Sequence, residues 1–145
     1  MKVLLIDDSR TMRNIQKRVL TDAFPGVEFA EAGDGLEALS VIDNTPAGFD
    51  LMLVDWNMPN MDGLTLVHKI RAADKRTLLV MVTTEAEKTR VLDAIKAGVN
   101  NYVIKPFTPE MLTDKIRGTI RDVLAGIHRP GSPGSRVACH CRRPR

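Results

Sequence analysis

The sequence predicts an α/β protein with a parallel β-sheet and helices on both of its faces. Three observations carry this. Five short apolar runs alternate with five stretches of helical periodicity. Each connection between runs is long enough to hold a helix, which suits parallel pairing through right-handed crossovers. Finally, acids, threonines or a lysine stand directly after four of the runs, where a parallel sheet gathers its strand ends on one rim.

Val3-Leu4-Leu5-Ile6 is continuously aliphatic, so the first strand is expected to be covered on both faces. Asp7 and Asp8 follow, and Ser9 suits the N-cap of the next helix. Met12, Ile15 and Val19 define its expected core face, and Phe24-Pro25-Gly26 ends it. Residues 27–31 alternate apolar and polar, the pattern of an edge strand with one wet face. Gly33-Asp34-Gly35 turns into a second helix with Leu36, Leu39 and Ile42 inward, and residues 45–48 end it. Leu51-Met52-Leu53-Val54 is the third strand and stops abruptly at Asp55. Past Pro59 and Asp62-Gly63, a third helix over about 63–73 carries Leu64, Val67 and Ile70 on one side. Residues 78–82 form the fourth strand, ending in Thr83-Thr84. The fourth helix, about 86–97, is expected to use Val91, Leu92 and Ile95, with Gly98 as its terminator. Tyr102-Val103-Ile104 is the fifth strand, ending in Lys105-Pro106-Phe107. Pro109 opens a last helix whose buried stripe is Leu112, Ile116, Ile120 and Val123.

One domain over 1–125 accounts for this pattern. Residues 126–145 differ in kind: rich in Gly, Pro and Arg and poor in core-forming residues, they read as a disordered basic tail. The tail holds five arginines and no acid. Removing those five from the chain's 21 Lys and Arg leaves 16 against 18 Asp and Glu, so the domain itself is slightly acidic. That argues against nucleic acid as a partner. Both cysteines, Cys139 and Cys141, lie in the tail, so the domain needs no disulfide, which fits a reducing compartment. The apolar runs are far too short to span a bilayer, and the N-terminal run is too short for a secretory signal. A cytoplasmic protein without membrane insertion is expected.

The strand ends bring Asp7, Asp8, Asp55, Thr83 and Lys105 to one rim. Close carboxylates repel, and one would protonate unless a cation is present. Magnesium suits hard oxygen donors and retains some of its waters. Asp8 and Asp55 are expected as direct ligands, Asp7 through water, and Asn57 through its backbone carbonyl. A carboxylate beside Mg²⁺ can attack phosphorus and form an aspartyl phosphate. Lys105 offers charge and Thr83 a hydroxyl to the phosphoryl oxygens, and backbone N–H groups after Asp55 and at Thr84 complete the cradle.

Asp7-Asp8, Asp55, Thr83 and Lys105-Pro106, with residues 54–63, 81–86 and 105–108 around them, resemble response-regulator receiver domains, most of all the single-domain chemotaxis type. The resemblance covers about residues 1–125. It implies a flavodoxin-like (βα)5 fold with strand order 2-1-3-4-5, and transfer of a phosphoryl group from a sensor histidine kinase to Asp55. It further implies that Thr83 moves towards the phosphate, that Tyr102 turns from exposed to buried, and that Asn57 and Glu85 tune hydrolysis. The face of the fourth helix, fifth strand and fifth helix, with Lys88, Val91, Ile95, Tyr102 and Lys115, would then bind the flagellar motor switch. A phosphatase is a further partner of this kind of protein, and a monomer is expected.

Two other functions compete. A non-motility phosphorelay would use the same site with another partner. A Mg²⁺-dependent phosphohydrolase with an Asp nucleophile would need an acid two residues on, where Asn57 stands. His68 reads as a helix-surface histidine, and Cys139-His140-Cys141 lacks the spacing and fourth ligand of a zinc site. Trp56 is assigned no chemistry but is placed to report on the site by fluorescence.

Overall fold

The computed structural model describes residues 1–124. The elements run β1 (Lys2–Ile6), α1 (Arg10–Ala23), β2 (Glu28–Ala32), α2 (Gly35–Asp43), β3 (Leu51–Val54), α3 (Gly63–Ala73), β4 (Leu78–Thr83), α4 (Lys88–Ala97), β5 (Asn101–Ile104) and α5 (Pro109–Leu124). All strand pairs are parallel, and the order is the expected β2-β1-β3-β4-β5. The basic tail assigned to 126–145, with Cys139, His140 and Cys141, lies outside the described residues. Among those described, no helix is long and apolar enough to cross a membrane.

The unbroken apolar runs have a simple cause. Successive side chains of a strand point to opposite faces, and here both faces are covered. Val3 and Leu5 join Leu51, Leu53, Val80 and Val82 in a core closed by Val19 and Leu20 of α1 and by Leu112 and Ile116 of α5. Leu4 and Ile6 join Met52, Val54, Leu79 and Met81 in a second core, closed by Ala38 of α2, Leu66 and Val67 of α3 and Ala94 of α4. Fully burying each Leu or Val contributes about 1.5–3 kcal/mol. β2 lies at the edge and is correspondingly mixed, with Glu28 exposed and Ala32 buried.

The helix starts follow local chemistry. Ser9 accepts from the Met12 N–H at 3.2 Å, Asp34 from Glu37 at 2.8 Å, Asp62 from Thr65 at 2.8 Å and Thr108 from Met111 at 3.1 Å. Such caps are worth about 1 kcal/mol each. α4 ends as expected at Gly98, whose φ of 120° favours glycine.

Four residues expected inward point outward. Ile15, Leu36, Leu92 and Ile95 are 43%, 55%, 47% and 41% exposed. On α1 the buried positions are Gln16, Val19 and Leu20, so a glutamine takes the place expected for Ile15. On α2, Gly35 and Ala38 are buried while Leu39 and Ile42 pack against the core, leaving Leu36 outside. α4 turns its small residues Ala94 and Ala97 inward beside Val91, which puts Leu92 and Ile95 on the outer side. On α5, Thr119 is buried and Ile120 and Val123 are only half-buried. His68 is exposed, as read.

Two contacts were not foreseen. Arg71 of α3 is buried, and it donates to the Gly98 carbonyl at 2.9 Å, to Asn100 Oδ1 at 2.9 Å and to the Asp74 carbonyl at 3.1 Å. Burial pushes its guanidinium down to about 10, against the pull of Asp74. It remains charged at neutral pH and ties the end of α3 to the end of α4. Gly63, the first residue of α3, lies so close to β3 that a Cβ would stand 2.2 Å from the Asp55 carbonyl oxygen. Its own N–H donates to the Trp56 carbonyl at 2.8 Å. Gly63→Ala must therefore push α3 off the strand end, an overpacking cost of about 1–3 kcal/mol. A urea midpoint lowered accordingly is expected. An unchanged midpoint would show that the helix start has room for a methyl group.

Candidate functional site

The strand ladder continues into the site. Asp7 N–H donates to the Ala32 carbonyl at 3.1 Å, Asp55 N–H to Ile6 at 2.9 Å and Lys105 N–H to Thr83 at 2.8 Å. The residues after β1, β3 and β5 are thus pinned by their neighbours, and their side chains meet at one end of the sheet. Asp7, Asp8 and Asp55 each offer a carboxylate oxygen within 4.8 Å of the other two. Asp7 and Asp55 are buried and Asp8 is exposed. Lys105 Nζ stands 2.8 Å from Asp7 Oδ2 and 3.4 Å from Asp55 Oδ2.

The three acids differ in what they have left to offer. Asp7 uses one oxygen for the Ser9 N–H at 2.8 Å and the other for Lys105 at 2.8 Å. The Arg13 guanidinium donates to its backbone carbonyl. Asp8 faces solvent, and Asp55 has Lys105 on one side. The oxygen-only donor set suits a hard divalent cation such as Mg²⁺. Asp7, with both oxygens already engaged, has less left to offer such a cation than Asp8, which faces solvent.

Burial raises the Asp55 carboxyl above its ordinary range, and the Asp7 charge adds to this. The Lys105 charge and a hydrogen bond from Thr83 oppose both without cancelling them. Thr83 is fully buried, and Thr84 beside it is exposed. Asn57 Nδ2 donates to Glu85 Oε2 at 3.0 Å, which joins these two residues beside Asp55. The Tyr102 hydroxyl donates to the Glu85 carbonyl at 2.7 Å. Burial, with Glu85 next, pushes its phenol up to about 12. Tyr102 is 8% exposed, so it occupies the inward position here and offers little surface to a partner. Lys88, Ile95 and Lys115 are exposed, and Val91 is half-buried against the core.

Sequence reasoning missed Arg13, Arg90 and the depth of Trp56. Trp56 is 3% exposed and is a core residue, with the Arg90 guanidinium 5.1 Å above its ring centre. Arg13 pairs with Glu31 at 2.8 Å while it holds Asp7. Its signal was faint: a basic residue four positions after the Ser9 cap on an otherwise polar face.

The family model of the response regulator receiver domain matches residues 3–117. The chain belongs to this family. It is 47% identical over 119 residues to chemotaxis protein CheY1 of Helicobacter pylori, covering 80% of this chain and 94% of that one. Among solved structures it matches Vibrio cholerae chemotaxis protein CheY4 with a TM-score of 0.73 and 34% identity, over 81% of this chain and 97% of that one. It also matches a two-component system response regulator/GGDEF domain protein with a TM-score of 0.77 and 27% identity, over 85% of this chain. There the chain spans half the length of its relative. This is a receiver domain of the CheY-like chemotaxis kind, and such regulators are signalling proteins.

The raised Asp55 carboxyl fixes a pH dependence in this receiver domain. Ionised, the group disfavours the folded state. That cost is absent below its unfolded pKa and complete above its raised folded value. In metal-free buffer, Asp55→Asn is therefore expected to raise the melting temperature at pH 7, and the gain should fade on acidification through the carboxylate range. A gain independent of pH would show that the Asp55 charge is not its source.

Proposed function

We propose that the domain is a phosphorylation switch in which Asp55 accepts a phosphoryl group from a histidine kinase of a chemotaxis pathway. One observation supports this above the others. A buried carboxylate lies between further acids that can share a cation and an ammonium group 3.4 Å away. An Asp55 oxygen attacks phosphorus in line, the bond from phosphorus to the donor's imidazole nitrogen breaks, and its electron pair leaves with the imidazole. A magnesium ion held by Asp8, Asp55 and the Asn57 carbonyl, with Asp7 through water, would neutralise charge on the phosphoryl oxygens. Lys105 exchanges part of its hold on the carboxylates for a phosphoryl oxygen, and Thr83 with the Thr84 N–H serves the others. Asn57 and Glu85, joined beside the acceptor, govern the approach of water.

The output follows from what Thr83 and Lys105 are attached to. Thr83 ends β4, and its Oγ1 accepts from the Glu85 N–H at 3.4 Å. Glu85 in turn receives the Tyr102 hydroxyl. Drawing Thr83 towards a phosphoryl group therefore disturbs the loop that leads into α4. The face of α4, β5 and α5, where Lys88, Ile95 and Lys115 are exposed around the inward Tyr102 and the half-buried Val91, is the surface whose affinity changes. The flagellar motor switch is the partner this reading assigns to it. The switch works because the phosphoryl group favours one of two arrangements.

Intact mass after incubation with acetyl phosphate and Mg²⁺ tests the reading. Wild type is expected to gain one phosphoryl group, lost on chelation of Mg²⁺ beforehand and absent in Asp55→Asn. Full labelling of Asp55→Asn would sink the assignment of the acceptor. Lys105→Arg keeps the charge but misplaces it, and should bind Mg²⁺ yet lose the phosphorylation-dependent change in affinity for the motor switch protein.

A further inference from the structure

The start of α4 differs from that of the other helices. α1, α2, α3 and α5 open on side-chain caps. α4 follows Glu87, which makes no capping hydrogen bond, and has no acid in its first turn. That turn carries Lys88 and Arg90, cations at the positive end of the helix dipole. Local forces alone hold such an end weakly.

Arg90 supplies a hold of another kind. Its guanidinium carbon lies 5.1 Å from the centre of the Trp56 ring, a cation–π distance. Its Nε stands 4.0 Å from Glu85 Oε1. Trp56 is core-packed and serves as a fixed platform. Glu85 takes Asn57 on its other carboxylate oxygen at 3.0 Å. Arg90 thus reaches from α4 both to the loop that follows Asp55 and to the loop that follows Thr83.

We propose that Arg90 is a positioning residue: it clasps the first turn of α4 onto Trp56, steadies the Glu85–Asn57 bridge, and so sets how long a phosphoryl group survives on Asp55. The lifetime role rests on the reading of Asp55 as the acceptor; the clasp does not. Without Arg90, Glu85 keeps Asn57 but loses the cation that orients its carboxylate, and water gains a path between the two loops. A lysine would keep the charge and lose the flat group that stacks on indole.

The test compares wild type, Arg90→Ala, Arg90→Lys and, as a control on the same helix, Lys96→Ala. Acrylamide quenching of Trp56, the single tryptophan of the chain, is measured without phosphodonor. The decay of the Asp55 adduct is followed by mass after acetyl phosphate is removed. In Arg90→Ala, quenching and decay rate should each rise about two- to fivefold, the factor an exposed cation–π contact is worth. Arg90→Lys should fall between, and Lys96→Ala should match wild type. Wild-type quenching in Arg90→Ala overturns the clasp, and the proposal with it. Raised quenching with unchanged decay overturns the lifetime role alone. A wild-type protein that takes no adduct refutes the acceptor reading and the lifetime role together, and quenching still decides the clasp.

Discussion

Carboxylates with oxygens within 4.8 Å of one another repel, and a cation among them relieves that repulsion. Lys105 is that cation within the chain, 2.8 Å from Asp7 and 3.4 Å from Asp55. Much of the fold can be understood as what keeps this arrangement in place. Parallel pairing puts the ends of β1, β3, β4 and β5 on one rim. The Ser9 N–H and Arg13 fasten Asp7 from α1, and the bare Cα of Gly63 lets α3 begin directly against the Asp55 peptide. The imbalance that remains, an Asp55 whose burial outweighs the help of Lys105, leaves the site receptive to a further positive charge.

The same contacts lead outward to α4. Asn57 and Trp56, next in the chain after Asp55, touch Glu85 and Arg90; Glu85 also carries the Tyr102 hydroxyl. The far end of α4 is fastened separately, through Arg71 to the Gly98 carbonyl and Asn100. One end of the helix is therefore set by a buried charge, and the other by Arg90 and Glu85 against Trp56 beside the acidic cluster. In the proposed switch, a displacement of the cluster would act on the second end and leave the first held, a pivot rather than a slide.

The strand ends were legible because a parallel sheet leaves little freedom. Once the apolar runs are recognised, Asp7, Asp55, Thr83 and Lys105 must share a rim, and their chemistry can be read without a distance. Helix faces were less legible. On α1, Ile15 and Gln16 stand about 100° apart round the helix on either side of the stripe through Val19, and only packing against α5 and the sheet decides that Gln16 goes in and Ile15 out. On α4 the apolar content of Leu92 and Ile95 outweighs that of Ala94 and Ala97 in the sequence, yet the smaller residues are buried. Arg71 was invisible for another reason. A buried guanidinium satisfied mainly by backbone carbonyls has its partners in groups that every sequence contains.

Lys105 and Asp7 are separated by 98 positions in the chain, and β3 and β4 lie between their strands. Their contact can form only when β1, β3, β4 and β5 are in register. A nascent chain synthesised as far as β4 already holds all three acids but not the ammonium that balances them. Once β1 and β3 pair, the acids repel one another without that ammonium until β5 docks. Completion of the cluster waits for the docking of β5, so a chain that lacks that strand does not present a finished site to the rest of the cell.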